Sequence, residues 1–322
     1  MTDAKPKLLV TRRLPDAVLE RAGRHYDASL NADDVPHGPE QLVALGAGMD
    51  GILAAPGDPL TAQVIEGLDD SVRIIATFSV GYEHIDTDAA RARGIAVTNT
   101  PGVLTESTAE IAMLLLLGAA RRASEGDALV RTGGWHGWTP TQLLGVQVSG
   151  KRLGIVGMGR IGRAMARRAR AFDMTIHYHN RNRLSADEEE GATFHAALDD
   201  MLGHCDFLSL HCPVTPETQK LLGARTIAKL PDGAVVVNSA RGAVIDDRAL
   251  IDALKSGKVA AAGLDVYEGE PDLDPGYLEL ANTFLLPHLG SATTETRNAM
   301  GFKALDNLDA FFRGEAPPDR VA

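Results

Sequence analysis

Short apolar runs bounded by turn-forming residues alternate along this chain with longer stretches whose apolar positions recur at helical spacing. In the first third, the runs at 7–11, 26–30, 51–54, 74–77 and 96–99 predict strands, and the stretches at 15–24, 40–47, 61–65 and 87–93 predict helices between them. Such a β-α-β rhythm calls for an α/β fold, an open parallel sheet with helices on both faces. Thr100-Pro101-Gly102 breaks the rhythm. The helix predicted over 105–122 is apolar on most faces, so it is expected to be buried, between two domains or at a subunit interface. The segment 131–150 reads as a loop and holds both tryptophans, Trp135 and Trp138. Alternation then resumes, with strands predicted at 174–179, 193–194, 207–210, 234–238, 263–266 and 283–286, and helices at 196–202, 219–222, 224–228 and 247–256. A last helix over 295–312 is long enough to pack back onto the first domain. That domain is then discontinuous, 1–100 with 287–322, around a second domain at 101–286.

The second domain opens on a more telling stretch. Leu153, Ile155 and Val156 form an apolar run that feeds a G-x-G-x-x-G turn at Gly157, Gly159 and Gly162, and a helix is predicted over 163–172. A side chain on the first two glycines would block the tight turn and the approach of a pyrophosphate, while Gly162 lets the helix pack on the strand. The phosphates would then lie at the helix N-terminus beside Met158, Arg160 and Ile161, where unpaired N–H groups and the dipole favour an anion. A Rossmann dinucleotide-binding domain is therefore expected. The acid that reads a ribose 2′-OH should follow about 20 positions on. The strand there ends instead in Asn180-Arg181-Asn182-Arg183, with no acid and two arginines, which favours NADPH and leaves NADH as the weaker alternative.

Composition excludes several other classes. The 322 residues, 44% hydrophobic and 23% charged, suffice for two globular domains. A net charge of −11 argues against nucleic acid or an anionic membrane as partner, so any anion site must be local. No apolar run reaches the length of a membrane span, and the N-terminal M-T-D-A-K-P-K-L-L-V lacks a signal-peptide core. Cys205 and Cys212 form neither a disulfide framework nor a zinc spacing, which points to a reduced cytoplasm. His177, His179, His195, His204 and His211 lack metal-ligand spacing; they read as structural, and no metal is expected.

Ligands of open parallel sheets bind outside the carboxyl ends of the strands, so residues just after those ends carry the chemistry. Four places qualify: Ser79-Val80-Gly81, whose small-residue loop can turn N–H groups toward an anion; Asn238-Ser239-Ala240-Arg241-Gly242; Asp265 to Pro271; and Pro287 to Ser291. Arg241, Glu270 and His288 are together the parts a carbonyl reduction needs. They supply a cation for a carboxylate or ketone oxygen, an anion to orient the acid, and a proton carrier with a pKa near neutrality.

With G-x-G-x-x-G at 157–162, H-C-P-V-T-P-E-T at 211–218, N-S-A-R-G at 238–242, G-L-D-V-Y-E-G-E-P at 263–271 and P-H-L-G-S-A-T at 287–293, the chain resembles the D-isomer-specific 2-hydroxyacid dehydrogenases over nearly its whole length. The resemblance implies two doubly wound domains, the Rossmann domain and a flavodoxin-like substrate domain. It implies that His288 donates the proton, Glu270 orients it and Arg241 binds the substrate's carboxylate and carbonyl. Asp265 matches a family acid near the nicotinamide, and Thr108, His211, Cys212 and Pro213 match cofactor-lining positions; Thr218, Ser239, Ala240, Arg241, His288 and Gly290 are expected beside them. Leu53, Val80 and Gly81 are expected at the substrate, the last two through their backbone. Within the family the chain looks most like the glyoxylate and hydroxypyruvate reductases. That likeness implies small 2-oxo acids as substrates, a homodimer, and a pocket closed by Trp138 of the partner subunit. Two other readings stay open: a dehydrogenase for another D-2-hydroxy acid, and a dinucleotide-sensing regulator resembling the C-terminal binding protein co-repressors.

Overall fold

The computed structural model describes residues 4–322, which form two compact units: residues up to 104 with Ala292–Ala322, and Thr105–Ser291. In the first unit, β1 (Lys7–Val10), α1 (Asp16–His25), β2 (Asp27–Leu30), α2 (Pro39–Leu45), β3 (Gly51–Ala54), α3 (Ala62–Gly67), β4 (Ile74–Thr77), α4 (Thr87–Ala92) and β5 (Ala96–Thr98) follow in turn. The five strands are parallel in the order β2-β1-β3-β4-β5, the flavodoxin-like winding. β3 and β4 are buried at every position, as apolar runs must be when helices cover both faces of a parallel sheet.

The second unit begins with α5 (Thr105–Ala120) and α6 (Ala123–Arg131). There follow β6 (Arg152–Val156), α7 (Arg160–Arg170), β7 (Thr175–His179), α8 (Ala186–Glu189), β8 (Thr193–His195), α9 (Leu198–Leu202), β9 (Phe207–Leu210), α10 (Ala224–Ile227), β10 (Ala234–Asn238), α11 (Asp247–Ser256), β11 (Val259–Leu264) and β12 (Thr283–Leu285). Its seven parallel strands run β12-β11-β10-β9-β6-β7-β8. The order reverses beside β6, which is the Rossmann switch point. The chain ends in α12 (Thr294–Phe312), which returns to the first unit and buries Met300, Ala304, Leu305 and Leu308 against Leu8, Val18 and Leu53.

The units divide at 104/105 and 291/292 rather than at 100/101 and 286/287. Val103 and Leu104 pack into the core of the first unit, and residues 288–290 are tied by hydrogen bonds to Asp265 in the second. The apolar helix α5 buries Ala112, Leu115, Leu116 and Ala119 in the core of its own unit, among Val235, Val237 and Ala261 of the sheet. Three local expectations are corrected. Residues 219–222 form a turn and not a helix, because Lys220 and Leu222 donate to the carbonyls of Ala243 and Val244. The strand expected at 263–266 is β11, which starts at Val259 and ends at Leu264. Its Ala-rich sequence admits the close approach of α5, since a Cβ on Gly263 would lie 2.9 Å from that of Leu115. The helices α6 and α8 were not anticipated, whereas residues 132–150 hold neither helix nor strand. Among the described residues no helix is long and apolar enough to cross a membrane.

Candidate active site

The glycine turn leaves β6 with Gly157 at φ +94°, where a Cβ would meet the backbone of His211 and Cys212 at 2.6 Å. Gly162 lies one turn into α7 against the carbonyl of Gly157, so the helix begins at Arg160, earlier than the expected residue 163. Gly159 caps α7 without a side chain, and a Cβ there would meet nothing within 4 Å. The space above the helix N-terminus is thus open, and a side chain would fill it. This is the cradle that the phosphates of a dinucleotide require, so the residues present fit that cofactor.

Around the cradle, Met158 N–H donates to Asn180 Oδ1 at 2.6 Å, so the residue at the end of β7, where an acid would read a ribose, instead fastens the glycine turn. Arg183 is drawn away from the loop: its guanidinium holds Glu189 at 2.8 and 3.1 Å and stacks over Phe194. Arg181 and Asn182 are exposed, and Arg181 makes no hydrogen bond or ion pair among the described residues. His211 sits at the end of β9, its Nε2 2.8 Å from Ser209 Oγ and its Nδ1 buried without a partner among the described residues. Burial lowers its pKa to about 4, so the ring is neutral. Cys212 is likewise buried, its thiol pushed up to about 11 and inert. Thr218 donates to the Pro213 carbonyl at 2.6 Å and accepts from Thr215 N–H, so its hydroxyl folds the loop.

Arg241, Glu270 and His288 all lie beyond strand ends of this one sheet, after β10, β11 and β12. Asn238 closes β10 as a wholly buried amide that accepts from Ala240 N–H at 3.0 Å and donates to the Arg241 carbonyl at 2.9 Å. Gly242 then presses on the backbone of Tyr267 and Glu268, where a Cβ would overlap it, which brings the Arg241 loop onto the Glu270 turn. Ser239 carries a buried hydroxyl with no partner among the described residues. His288 Nδ1 lies 2.6 Å from Glu270 Oε1, and Tyr267 N–H reaches Glu270 Oε2 at 3.3 Å. The hydrogen bond to Glu270 raises the His288 pKa, against burial and the charge of Arg241, and Asp265 adds to the rise. Burial alone would raise Glu270, but the hydrogen bond and charge of His288 outweigh it and hold the carboxylate below its ordinary value. Asp265, 1% exposed, is raised by burial although Leu289 N–H, the charge of His288 and Gly290 N–H oppose the shift. Thr108 donates to the Gly290 carbonyl at 3.2 Å.

In the first unit, Val80 and Gly81 follow β4 in a loop whose carbonyls accept from Asn99 Nδ2 at 2.7 Å and Ser79 Oγ at 2.6 Å. Leu53 is packed in the core of that unit with 1% exposed, and its carbonyl accepts from Thr11 N–H at 3.1 Å. Trp138 is 79% exposed on the segment after α6. Sequence reasoning missed the holding roles of Asn238 and of Tyr267, whose hydroxyl donates to the carbonyls of Leu264 and Leu286. The signal for Asn238 was present, a lone polar residue ending the strand A-V-V-V-N.

Residues 113–290 match the family described as D-isomer specific 2-hydroxyacid dehydrogenase, NAD binding domain. The chain is 44% identical over 313 residues to glycerate dehydrogenase of Hyphomicrobium methylovorum, covering 97% of each. It is also 44% identical over 319 residues to glyoxylate reductase of Korarchaeum cryptofilum, covering 98% of this chain and 96% of that one. Among solved structures it is similar to the NADPH-dependent glyoxylate/hydroxypyruvate reductase of Sinorhizobium meliloti in complex with NADP and malonate. The TM-score there is 0.89 at 35% identity, over 99% of this chain and 97% of that one.

Proposed function

The chain belongs to the D-isomer specific 2-hydroxyacid dehydrogenase family, and on that premise we propose that it uses NADPH to reduce glyoxylate and hydroxypyruvate to glycolate and D-glycerate. The observation that carries this reading is the 2.6 Å contact of His288 with Glu270, inside the field of Arg241. The bound dinucleotide supplies a hydride to the 2-oxo carbon. Glu270 accepts a hydrogen bond from His288 Nδ1–H, which keeps its proton, and so aims the opposite nitrogen, Nε2, at the substrate. His288 gives up the Nε2 proton to the carbonyl oxygen as that oxygen gains charge. Arg241 binds the carboxylate and polarises the carbonyl, and the backbone N–H groups of Val80 and Gly81 hold the carboxylate. In a homodimer the partner subunit's Trp138 closes the pocket, which favours the smallest 2-oxo acids.

For NADPH, the support is Arg181, exposed after β7, whose end carries no acid; the charge of Arg181 also reaches the Glu217 carboxylate. The names of relatives agree, since one similar reductase is NADPH-dependent. Initial rates with NADPH and NADH on glyoxylate, hydroxypyruvate and branched 2-oxo acids test the proposal. Both small acids should turn over with higher kcat/KM than the branched ones, and NADPH should exceed NADH. A branched acid preferred over both, or NADH preferred, overturns the corresponding half. Nucleotide binding without turnover of any 2-oxo acid makes the protein a sensor instead.

A further inference from the structure

We infer that Ser79, Thr77 and Asn99 are positioning residues that shape the Ser79–Gly81 backbone into a carboxylate nest; the inference rests on the proposed 2-oxo acid reductase reading. All three side chains are buried in the first unit, at the ends of β4 and β5. Each carbonyl of the loop is tied: Ser79 O accepts from Thr100 N–H at 2.9 Å, Val80 O from Asn99 Nδ2 at 2.7 Å, and Gly81 O from Ser79 Oγ at 2.6 Å. The N–H groups of Val80 and Gly81 have no partner among the described residues. With the acceptors tied and the donors free, the loop leaves two successive N–H groups available to an anion.

The hydroxyls can be assigned from their proton count. Ser79 has one hydroxyl proton and gives it to Gly81 O, so at 2.8 Å it accepts from Thr77 Oγ1. Thr77 has then spent its own proton, and the 3.1 Å contact with His84 must be a donation from Nε2–H. Hydrogen bonds therefore run one way, from His84 through Thr77 and Ser79 to the Gly81 carbonyl. Ser79, Thr77 and Asn99 transfer no proton to the substrate on this reading; their effect is on how tightly a carboxylate is held.

The test compares wild type with Ser79→Ala, Asn99→Ala and the isosteric Thr77→Val, measuring kcat and KM for glyoxylate, the Kd of NADPH and the Kd of oxalate with NADP bound. KM and the oxalate Kd should rise together by about tenfold in S79A and N99A and less in T77V, with kcat and the NADPH Kd within about threefold. A folded S79A or T77V whose KM and oxalate Kd equal wild type overturns the inference, as does a loss confined to kcat. Wild type that binds oxalate, with binding weakened in S79A, yet reduces no 2-oxo acid overturns the proposed function and leaves the nest standing.

Discussion

Asp265 holds His288 by its main chain: the Asp265 carbonyl accepts His288 N–H at 2.9 Å, and its carboxylate accepts the next two N–H groups, Leu289 at 2.6 Å and Gly290 at 2.8 Å. His288 itself sits at φ +54°, a left-handed conformation that a non-glycine residue adopts only when its surroundings impose it. The three bonds supply that constraint, and the imidazole is thereby delivered to Glu270.

Replacing the carboxylate by an amide therefore disturbs the imidazole through the backbone. Asp265→Asn keeps one acceptor oxygen but points an NH2 at one of the two N–H groups, leaving a buried donor unpaired at a cost of about 1–3 kcal/mol. We expect kcat for glyoxylate reduction to fall by about tenfold or more, and the melting temperature to fall with it. Turnover within about twofold of wild type would remove Asp265 from this role.

On the proposed mechanism, the pairing of His288 with Glu270 sets the pH dependence. Glu270 raises the His288 pKa, so the imidazolium needed for reduction persists to higher pH and the rate declines only as pH rises through that raised value. Glu270→Gln removes the anion, lowers the His288 pKa, and moves the falling limb of the kcat/KM profile to lower pH. His288→Ala should cost at least about a hundredfold at neutral pH. An unmoved limb in E270Q, or an unchanged rate in H288A, contradicts the assignment.

Much of the fold was legible because parallel strands buried on both faces, such as I-I-A-T and A-V-V-V-N, advertise themselves as unbroken apolar runs. β11 hid because V-A-A-A-G-L is built from small residues chosen for the approach of α5, and small residues carry no strand signal. The false helix at 219–222 arose from local propensity overridden by a distant pairing with residues 243–245. Arg241, Glu270 and His288 were legible as polar residues just beyond strand ends, and there they lie. The backbone-holding bonds of Asn238, Tyr267 and Ser79 were not legible, although the stretches that contain them were, because which carbonyl a side chain meets depends on the fold.

Arg183 is held on Glu189 while Arg181 is exposed, so on the proposed reading Arg181 is the arginine that chooses between nucleotides. Arg181→Ala should weaken NADPH by about tenfold or more, the scale of a charge-assisted hydrogen bond, and leave NADH within about twofold. Arg183→Ala should instead release the buried Glu189 and lower the melting temperature, with similar effects on both nucleotides. Fluorescence titrations and thermal melts of the two variants separate these outcomes. Equal loss of both nucleotides in R181A would show that this loop does not read the 2′-phosphate.

Away from the proposed site, the histidines of the second unit make the fold sensitive to acid. His177 Nδ1 lies 3.0 Å from His195 Nε2, and His204 stacks on His177 at 5.2 Å. Burial lowers the pKa of His177 and of His195, and the neighbouring imidazoles add to it; Arg152 lowers His177 and His179 lowers His195, while Asp206 and Asp200 pull the other way. Burial alone takes His211 down to about 4. Each group binds a proton less readily folded than unfolded, so the unfolded chain takes up more protons as pH falls below 6.5. Stability is fully present above that pH and is lost on descending toward 4. A histidine that titrates only on unfolding contributes at most about 1.4 kcal/mol per pH unit to this slope. His177→Gln should accordingly flatten the decline in the urea midpoint between pH 6.5 and 4 without altering its plateau at pH 8. A slope equal to wild type would mean that His177 already carries its proton in the folded chain, and that the three rings tolerate charge despite their contact.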